Sequence, residues 1–421
     1  AFVCDNNSAD PKCSSANQGS GNSGSPFYVN HPPTFSSSSV SAAVNPGGTI
    51  TWTTTSSDPD GNMVKLLVCK TAAISSGSCT GGAWCTSSLS ASNPTCDYVT
   101  SVPYEDGSYN AYPYIVDQFN LVASGGAQGS NRAFTVNNTS PTVNTVTLNN
   151  GNDISLIEGT TTDIVITTSI SDTNGCRNQG NTADEISNVK GYLYRSGVGY
   201  TGCDTSGEAN TNNCYPEVNC TVSVTCSNGV TTYSCSTAVS HYADPTTANT
   251  PFPTENWLST IKATDDDGAV GTVNSSGVEL NTLLGGSTTE ILLDFGNIVV
   301  GGSNDPLNKT LTHNPTGNVG IDITVRANTA SMCTNYSTCT DGTPIPISHL
   351  RYSLAASTAY SAGLVLTTTA VEREINIPKQ TSSTAPTKQT WWGIYIPTGT
   401  LPGTYNGLNV IEYSLGETSD W

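Results

Sequence analysis

The sequence predicts an all-β protein: three β-sandwiches in series behind an extended N-terminal arm, stapled by disulfides. Three observations predict it. Apolar residues recur with period two in run after run, the spacing of half-buried strands. Gly (40 residues) and Pro (22) punctuate those runs, with Asn and Asp beside them, and no stretch carries a convincing amphipathic helical period. The 14 cysteines fall in even clusters, the mark of a disulfide framework.

Composition narrows the function before any motif is read. Only 11% of the 421 residues are charged, against roughly 25% in an ordinary soluble protein. The balance of 14 Lys+Arg against 33 Asp+Glu gives a net charge of −19. So few scattered cations cannot replace counterions on phosphate, which excludes a nucleic-acid partner. An anionic membrane surface would repel the chain. No apolar run approaches the ~18 residues of a membrane span.

Residues 1–32 form a Ser/Gly/Asn-rich arm of low complexity. Gly19-Ser20-Gly21-Asn22-Ser23-Gly24 matches G-x-G-x-x-G but neither follows a strand nor opens a helix, so it is a linker and not a dinucleotide site. The first sandwich spans 33–139. Its strands are read at Ile50–Thr53, Val64–Val68, Tyr112–Val116 and Phe134–Val136.

The second sandwich, 140–283, repeats the plan. Ile164, Ile166, Thr168 and Ile170 alternate into Asp172-Thr173-Asn174-Gly175, as Trp52 leads into Asp58-Pro59-Asp60-Gly61-Asn62. Asp117 in the first copy corresponds to Asp265-Asp266-Asp267 in the second, which carries a Cys-rich insertion. There Val218, Cys220, Val222, Val224 and Cys226 are expected on one face, with Asn228-Gly229 as a type I′ turn returning through Tyr233-Ser234-Cys235. The C-terminal sandwich, 284–421, has expected strands at Ile291–Phe295, Ile298–Val300, Leu307–Leu311, Ile321–Val325, Leu350–Leu354, Leu364–Thr367, Glu374–Ile377, Trp392–Ile396 and Val410–Tyr413.

The cysteines are Cys4, Cys13, Cys69, Cys79, Cys85, Cys96, Cys176, Cys203, Cys214, Cys220, Cys226, Cys235, Cys333 and Cys339. No C-x-x-C pair offers adjacent thiolates to a zinc ion, and the recurring spacing is C-x5-C. Disulfides in an oxidising compartment are the expectation, with the pairing left open. A chain starting at Ala1 is what signal-peptide removal leaves, so a secreted, cell-surface protein is expected. Candidate glycosylation sequons begin at Asn6, Asn137, Asn138, Asn219, Asn274, Asn308 and Asn335.

On these residues the chain resembles tandem Ig-like surface proteins of bacteria and archaea. The first two units resemble domains that run from a B strand into D-x-D-G-N and later show a V/A-x-D strand end. The C-terminal unit is similar to Ig-like domains carrying D-F-G-x-V-x-x-G followed by N-T-G. Its matching residues are Asp294-Phe295-Gly296-Asn297-Ile298-Val299-Val300-Gly301 and Asn314-Pro315-Thr316-Gly317-Asn318, with Pro315 interrupting the second motif. Its ending, through Leu401-Pro402-Gly403-Thr404-Tyr405, resembles the last hairpin of secreted fibre-forming and wall-associated sandwiches. The resemblance implies Ig-like folds at a cell surface.

Catalytic constellations are not expected. The histidines, His31, His241, His313 and His349, lie in no H-E-x-x-H, and no G-x-S-x-G elbow occurs. Glu372 and Glu374 flank Arg373 on one expected strand and read as a solvated face rather than a glycosidase pair. Calcium is the chemical alternative. In an Ig sandwich the two loops emerge at one end, so Asp58, Asp60 and Asn62 are expected near Asp117, and Asp172 and Asn174 near Asp265 and Asp267. Clustered carboxylate and amide oxygens suit a hard cation. Trp84, Trp257 and Trp391-Trp392 supply faces for host or cell-surface glycans, although sandwiches also use such residues in the core. The expected role is non-enzymatic: a self-assembling surface subunit, pilus-like, whose partners are copies of itself. A surface-layer subunit and a calcium-dependent adhesin or glycan-binding array are the rivals. Low charge favours assembly, because uncharged Thr, Ser and Asn cost less than ions to desolvate between subunits.

Overall fold

A computed structural model describes residues 29–176, 185–203 and 210–421. The expected arm through residue 28, with Cys4, Cys13 and the Asn6 sequon, lies outside the described residues. The chain divides into two units, 1–138 and 139–421. Thr139 therefore belongs with the second sandwich, one residue before the boundary read from sequence.

The first unit is one sandwich. Its strands are β1 (Thr34–Val40), β2 (Thr49–Ser57), β3 (Val64–Cys69), β4 (Ala83–Thr86), β5 (Cys96–Val99), β6 (Gly107–Tyr109), β7 (Tyr112–Asp117) and β8 (Phe134–Val136). One sheet runs β1-β2-β5, the facing one β4-β3-β7, and β6 pairs with β8. Strict alternation along β2 turns Ile50, Trp52, Thr54 and Ser56 inward. Trp52 and Trp84 each meet the Phe134 ring edge-on, at 5.6 and 5.0 Å between centroids.

In the second unit the next sandwich contains β9 (Thr142–Leu148), β10 (Thr161–Ser171), β11 (Ile186–Arg195), β12 (Cys214–Asn219), β13 (Thr221–Ser227), β14 (Val230–Ser240), β15 (Trp257–Asp265) and β16 (Val270–Asn274). Its sheets are β9-β10-β14-β13 and β12-β11-β15-β16, with β9, β10, β11 and β15 standing where β1, β2, β3 and β7 stand in the first. The internal repeat is therefore one of topology. The hairpin turns at Asn228 (φ 51°) and Gly229 (φ 76°), which the type I′ geometry requires. However, Val218 and Val224 do not share a strand. β12 joins one sheet and β13 the other, so the chain changes sheets at Cys220. Two irregularities in the β13–β14 register then leave Val224 exposed while Val222 packs on the core.

The C-terminal sandwich comprises β17 (Gly286–Thr288), β18 (Lys309–Pro315), β19 (Ile321–Ala327), β20 (Leu350–Ser353), β21 (Leu364–Val365), β22 (Val371–Ile377), β23 (Lys388–Ile394) and β24 (Asn409–Leu415). Its sheets are β17-β18-β23-β20-β21 and β22-β19-β24. Trp392 is fully buried and stacks on Tyr352, while Trp391 is half-buried on the other face. Ile291–Phe295 and Ile298–Val300 are not strands. The Glu290 carboxylate accepts the Thr312 N–H and hydroxyl, which ends the β17–β18 ladder after Thr289. Beyond it Ile291 and Leu292 project into solvent, and only Leu293, Phe295 and Ile298 pack against the core.

Six disulfides join described cysteines: Cys69–Cys79, Cys85–Cys96, Cys176–Cys226, Cys203–Cys214, Cys220–Cys235 and Cys333–Cys339. The Cys220–Cys235 bridge sits at the point where the insertion changes sheets.

Candidate functional site

The Asp/Asn loops follow from the strand pairing. β7 ends opposite the start of β3, placing Asp117 across from Val64, and β15 ends opposite the start of β11, placing Asp265 across from Ile186. Asp58 and Asp172 follow the last residues of β2 and β10. Each acts first as a turn former: Asp58 Oδ1 accepts the N–H of Asp60 at 2.8 Å, and Asp172 Oδ1 that of Asn174 at 2.8 Å.

In the first sandwich the loop is filled by the chain itself. Asp117 Oδ1 accepts the N–H groups of Phe119 (2.9 Å) and Leu121 (2.8 Å), and its Oδ2 accepts the Asn30 amide. Asn30 Oδ1 in turn accepts the Asn62 amide. Asp60 holds His31, accepting its backbone N–H and lying 2.8 Å from Nδ1, which lowers the Asp60 pKa. Asp58 Oδ2 is buried without a hydrogen-bond partner.

The second sandwich keeps the plan with different chemistry. Thr139 occupies the place of Asn30: its N–H donates to Asn174 Oδ1 at 2.8 Å, and its hydroxyl lies near Asn174 Oδ1, Thr173 Oγ1 and, at 3.4 Å, Asp172 Oδ1. Asp265 Oδ1 accepts the Ala269 N–H. Asp172, Asn174, Glu185 and Asp265 are all buried, and Asp172 Oδ2 has no partner. Burial pushes the Asp172 pKa up to about 6, and the Asp265 charge adds to the rise. Asp267, expected among the ligands, is exposed and outside this cluster.

Sequence reasoning missed Asn30, Thr139 and Glu185. A signal for the first two exists: Asn30-His31-Pro32 and Thr139-Ser140-Pro141 each set a polar residue two positions before a proline that leads into the first strand.

The remaining candidates separate. His313 is fully buried, 3.0 Å from Thr390 Oγ1 and 3.2 Å from the Tyr413 hydroxyl, and burial lowers its pKa to about 4. His241 contacts Gln380, and His349 lies against the Tyr395 ring. Glu374 meets Asp322 and Glu417 rather than Glu372, their carboxylate oxygens within 4.8 Å, and the Asp322 charge raises its pKa. Trp257 is core, and Trp84 is packed among Tyr98, Tyr109 and Phe134. Asn137, Asn219, Asn274 and Asn308 are exposed, whereas Asn138 and Asn335 are half-buried. Among the described residues no helix is long and apolar enough to cross a membrane.

No protein family and no curated protein matches the chain. Solved structures similar to parts of it include a tetra-tandem repeat from the extending region of a large adhesion protein, at 14% identity over 88% of this chain and 75% of that one, TM-score 0.32. Fibronectin(III)-like modules of Clostridium thermocellum CbhA align at 13% identity over 58% and 94%, TM-score 0.18. A bacterial ice-binding adhesin aligns at 12% over 71% and 82%, TM-score 0.20. Scores this low do not establish a shared arrangement of domains.

Proposed function

We propose that this chain is a non-enzymatic structural subunit of an extracellular surface assembly, a filament of copies of itself in which the N-terminal arm of one copy engages the next. The observation that carries the reading is the free flank of the C-terminal sandwich. β24 ends its sheet, and among the described residues no strand pairs with its outer side. Its core-facing Ile411 and Tyr413 are only half-buried, and the same sandwich exposes Ile291, Leu292, Val299 and Val300. An unpaired edge beside incompletely covered apolar side chains accepts an added strand, whose backbone satisfies the free N–H and C=O groups. The 28 residues before Val29 reach roughly 100 Å when extended, enough to meet another subunit. Multiple disulfides support an oxidising, extracellular setting.

The test is removal of residues 1–28. Asn30 and His31 are retained because they bond to Asp117 and Asp60 within the first sandwich. Fibres of the full chain in electron micrographs, lost in a truncated chain with an unchanged circular dichroism spectrum, support the reading. Unaffected fibres overturn it. Two-dimensional sheets instead of fibres would indicate a surface layer. Ligand capture by the monomer, abolished by chelator, would indicate the adhesin or glycan-binding alternative.

A further inference from the structure

We propose that the Lys379 side chain and the Asn212 carboxamide condense into an amide cross-link between the second and C-terminal sandwiches, with Asp244 carrying the protons. Three chain segments bring the groups together. Asn212 lies just before β12, Asp244 in the loop after β14, and Lys379 just beyond β22. Their backbones are pinned: the Asp244 N–H donates to the Asn212 carbonyl at 2.7 Å, and the Lys379 N–H to the Asp420 carbonyl at 2.7 Å. Lys379 Nζ then stands 3.0 Å from Asn212 Oδ1 and 2.9 Å from Asp244 Oδ1. Since Oδ1 is one carbonyl bond from Cγ, the nitrogen is at most about 4.2 Å from the carbon it would attack. A movement of about 1 Å brings it into reactive approach.

Position alone does not acylate a lysine; its lone pair must also be freed. Lys379, Asn212 and Asp244 are 6%, 5% and 6% exposed, which strips water from the ammonium. Burial lowers the Lys379 pKa and so moves it toward the free amine. Arg195, 3.2 Å from Asp244 Oδ2, holds that carboxylate while its Oδ1 faces Lys379. The Asn212 amide nitrogen is held in turn by the Thr381 carbonyl and Asn210 Oδ1.

Asp244 takes one proton from the Lys379 ammonium, and the freed lone pair attacks Asn212 Cγ. The Nζ–Cγ bond forms as the carbonyl pair moves onto Oδ1. A second proton passes from Nζ through Asp244 to Nδ2. The pair on Oδ1 returns, the Cγ–Nδ2 bond breaks, and that nitrogen leaves with both protons as ammonium. Asp244 ends as the carboxylate it began, and nothing is oxidised or reduced. The structure shows the pair before reaction, so the Lys379–Asp244 ion pair is the state of the freshly folded chain. Stability comparisons of variants at this site refer to that unlinked chain. Lys65 and Asn120 provide the contrast: their Nζ and Oδ1 are 3.5 Å apart in an exposed pair, where the ammonium stays solvated.

The experiment weighs the full chain after unfolding, reduction and alkylation, then digests it with trypsin, both freshly folded and after prolonged incubation. The incubated wild type is expected to be lighter by one ammonia than its sequence requires, with a branched peptide joining Asn212 to Lys379. Lys379→Arg keeps a cation beside Asp244 but offers no free amine, and is expected to retain its full mass. Asp244→Asn is expected to slow linking about a hundredfold or more. If that variant does not fold, the wild-type and Lys379→Arg peptide maps decide. A wild-type chain without the branched peptide after incubation overturns the proposal. So does linking that maps to Lys65 and Asn120 instead, or that proceeds equally fast in folded Asp244→Asn.

Discussion

Lys379 places its Nζ 2.9 Å from Asp244 Oδ1, joining the C-terminal sandwich to the one before it through an ion pair in which both residues are about 6% exposed. Asp244 Oδ2 also faces Arg195 at 3.2 Å, and Arg195 reaches Glu255 while its guanidinium lies over the Phe252 ring. Lys379 donates further to Asn212 Oδ1 and the Gln380 carbonyl. Burial pulls the Lys379 pKa down, and the Asp244 charge opposes that fall.

Asp244→Asn leaves the buried Lys379 without a carboxylate and Arg195 with Glu255 alone, and the expected loss is about 3–5 kcal/mol. Lys379→Met leaves Asp244 paired with Arg195 and is expected to cost clearly less. Chemical denaturation of both variants checks this. Equal losses would mean that Arg195 contributes nothing to holding Asp244.

Acidification in the presence of chelator should act on the two sandwiches of the second unit with opposite signs. The folded pKa of Asp172 is raised from 3.8 to about 6, so its contribution grows as pH falls from 6 toward 4. His313, faced by Glu290, Tyr413 and Thr390, is lowered from 6.5 to about 4, so its contribution is lost over nearly the same window. Each effect is at most about 3 kcal/mol. Melting temperatures between pH 4 and 7 are expected to fall less steeply with acid in His313→Gln and more steeply in Asp172→Asn.

The disulfides should rank by the loop they close. Cys176–Cys226 spans 50 residues and Cys333–Cys339 only 6, so loop-closure entropy assigns them about 4 and about 2 kcal/mol. Paired Cys→Ser variants measured by calorimetry should reproduce that order. The reverse order would show that native-state contacts outweigh the entropy of the unfolded chain.

Much of the fold was legible because alternation reports burial directly. Ile50 and Trp52 in β2, and Ile164, Ile166 and Ile170 in β10, announce both their strands and their inward face. The Asn228-Gly229 turn was equally plain, since few residues accept two positive φ angles. Features set by contacts distant in sequence were not. Ile291–Val300 has the apolar content of strands, but a carboxylate one residue earlier caps the ladder. Val224 keeps the right parity in sequence and loses it to a register shift. The aspartate loops were visible as turn chemistry, yet whether Asn30 or Thr139 lies against them depends on where the chain enters each sandwich. Lys379 gave no local sign that it would be buried, because its partner, Asp244, belongs to another sandwich.

The Cys176–Cys226 bridge has a mechanical corollary. A chain of sandwiches that carries tension lengthens when one of its members unfolds, by the contour of whatever that member releases. Here the stretch from Cys176 to Cys226, a sequence separation of 50, is short-circuited by a covalent bond. At about 3.5 Å per residue, some 170 Å of slack stays locked while the bridge is oxidised. Reduction of this bridge together with Cys203–Cys214 and Cys220–Cys235, which cross-link residues of the same loop, would release that length, so the redox state of the three bonds sets how far the second sandwich can stretch before force passes to its neighbours.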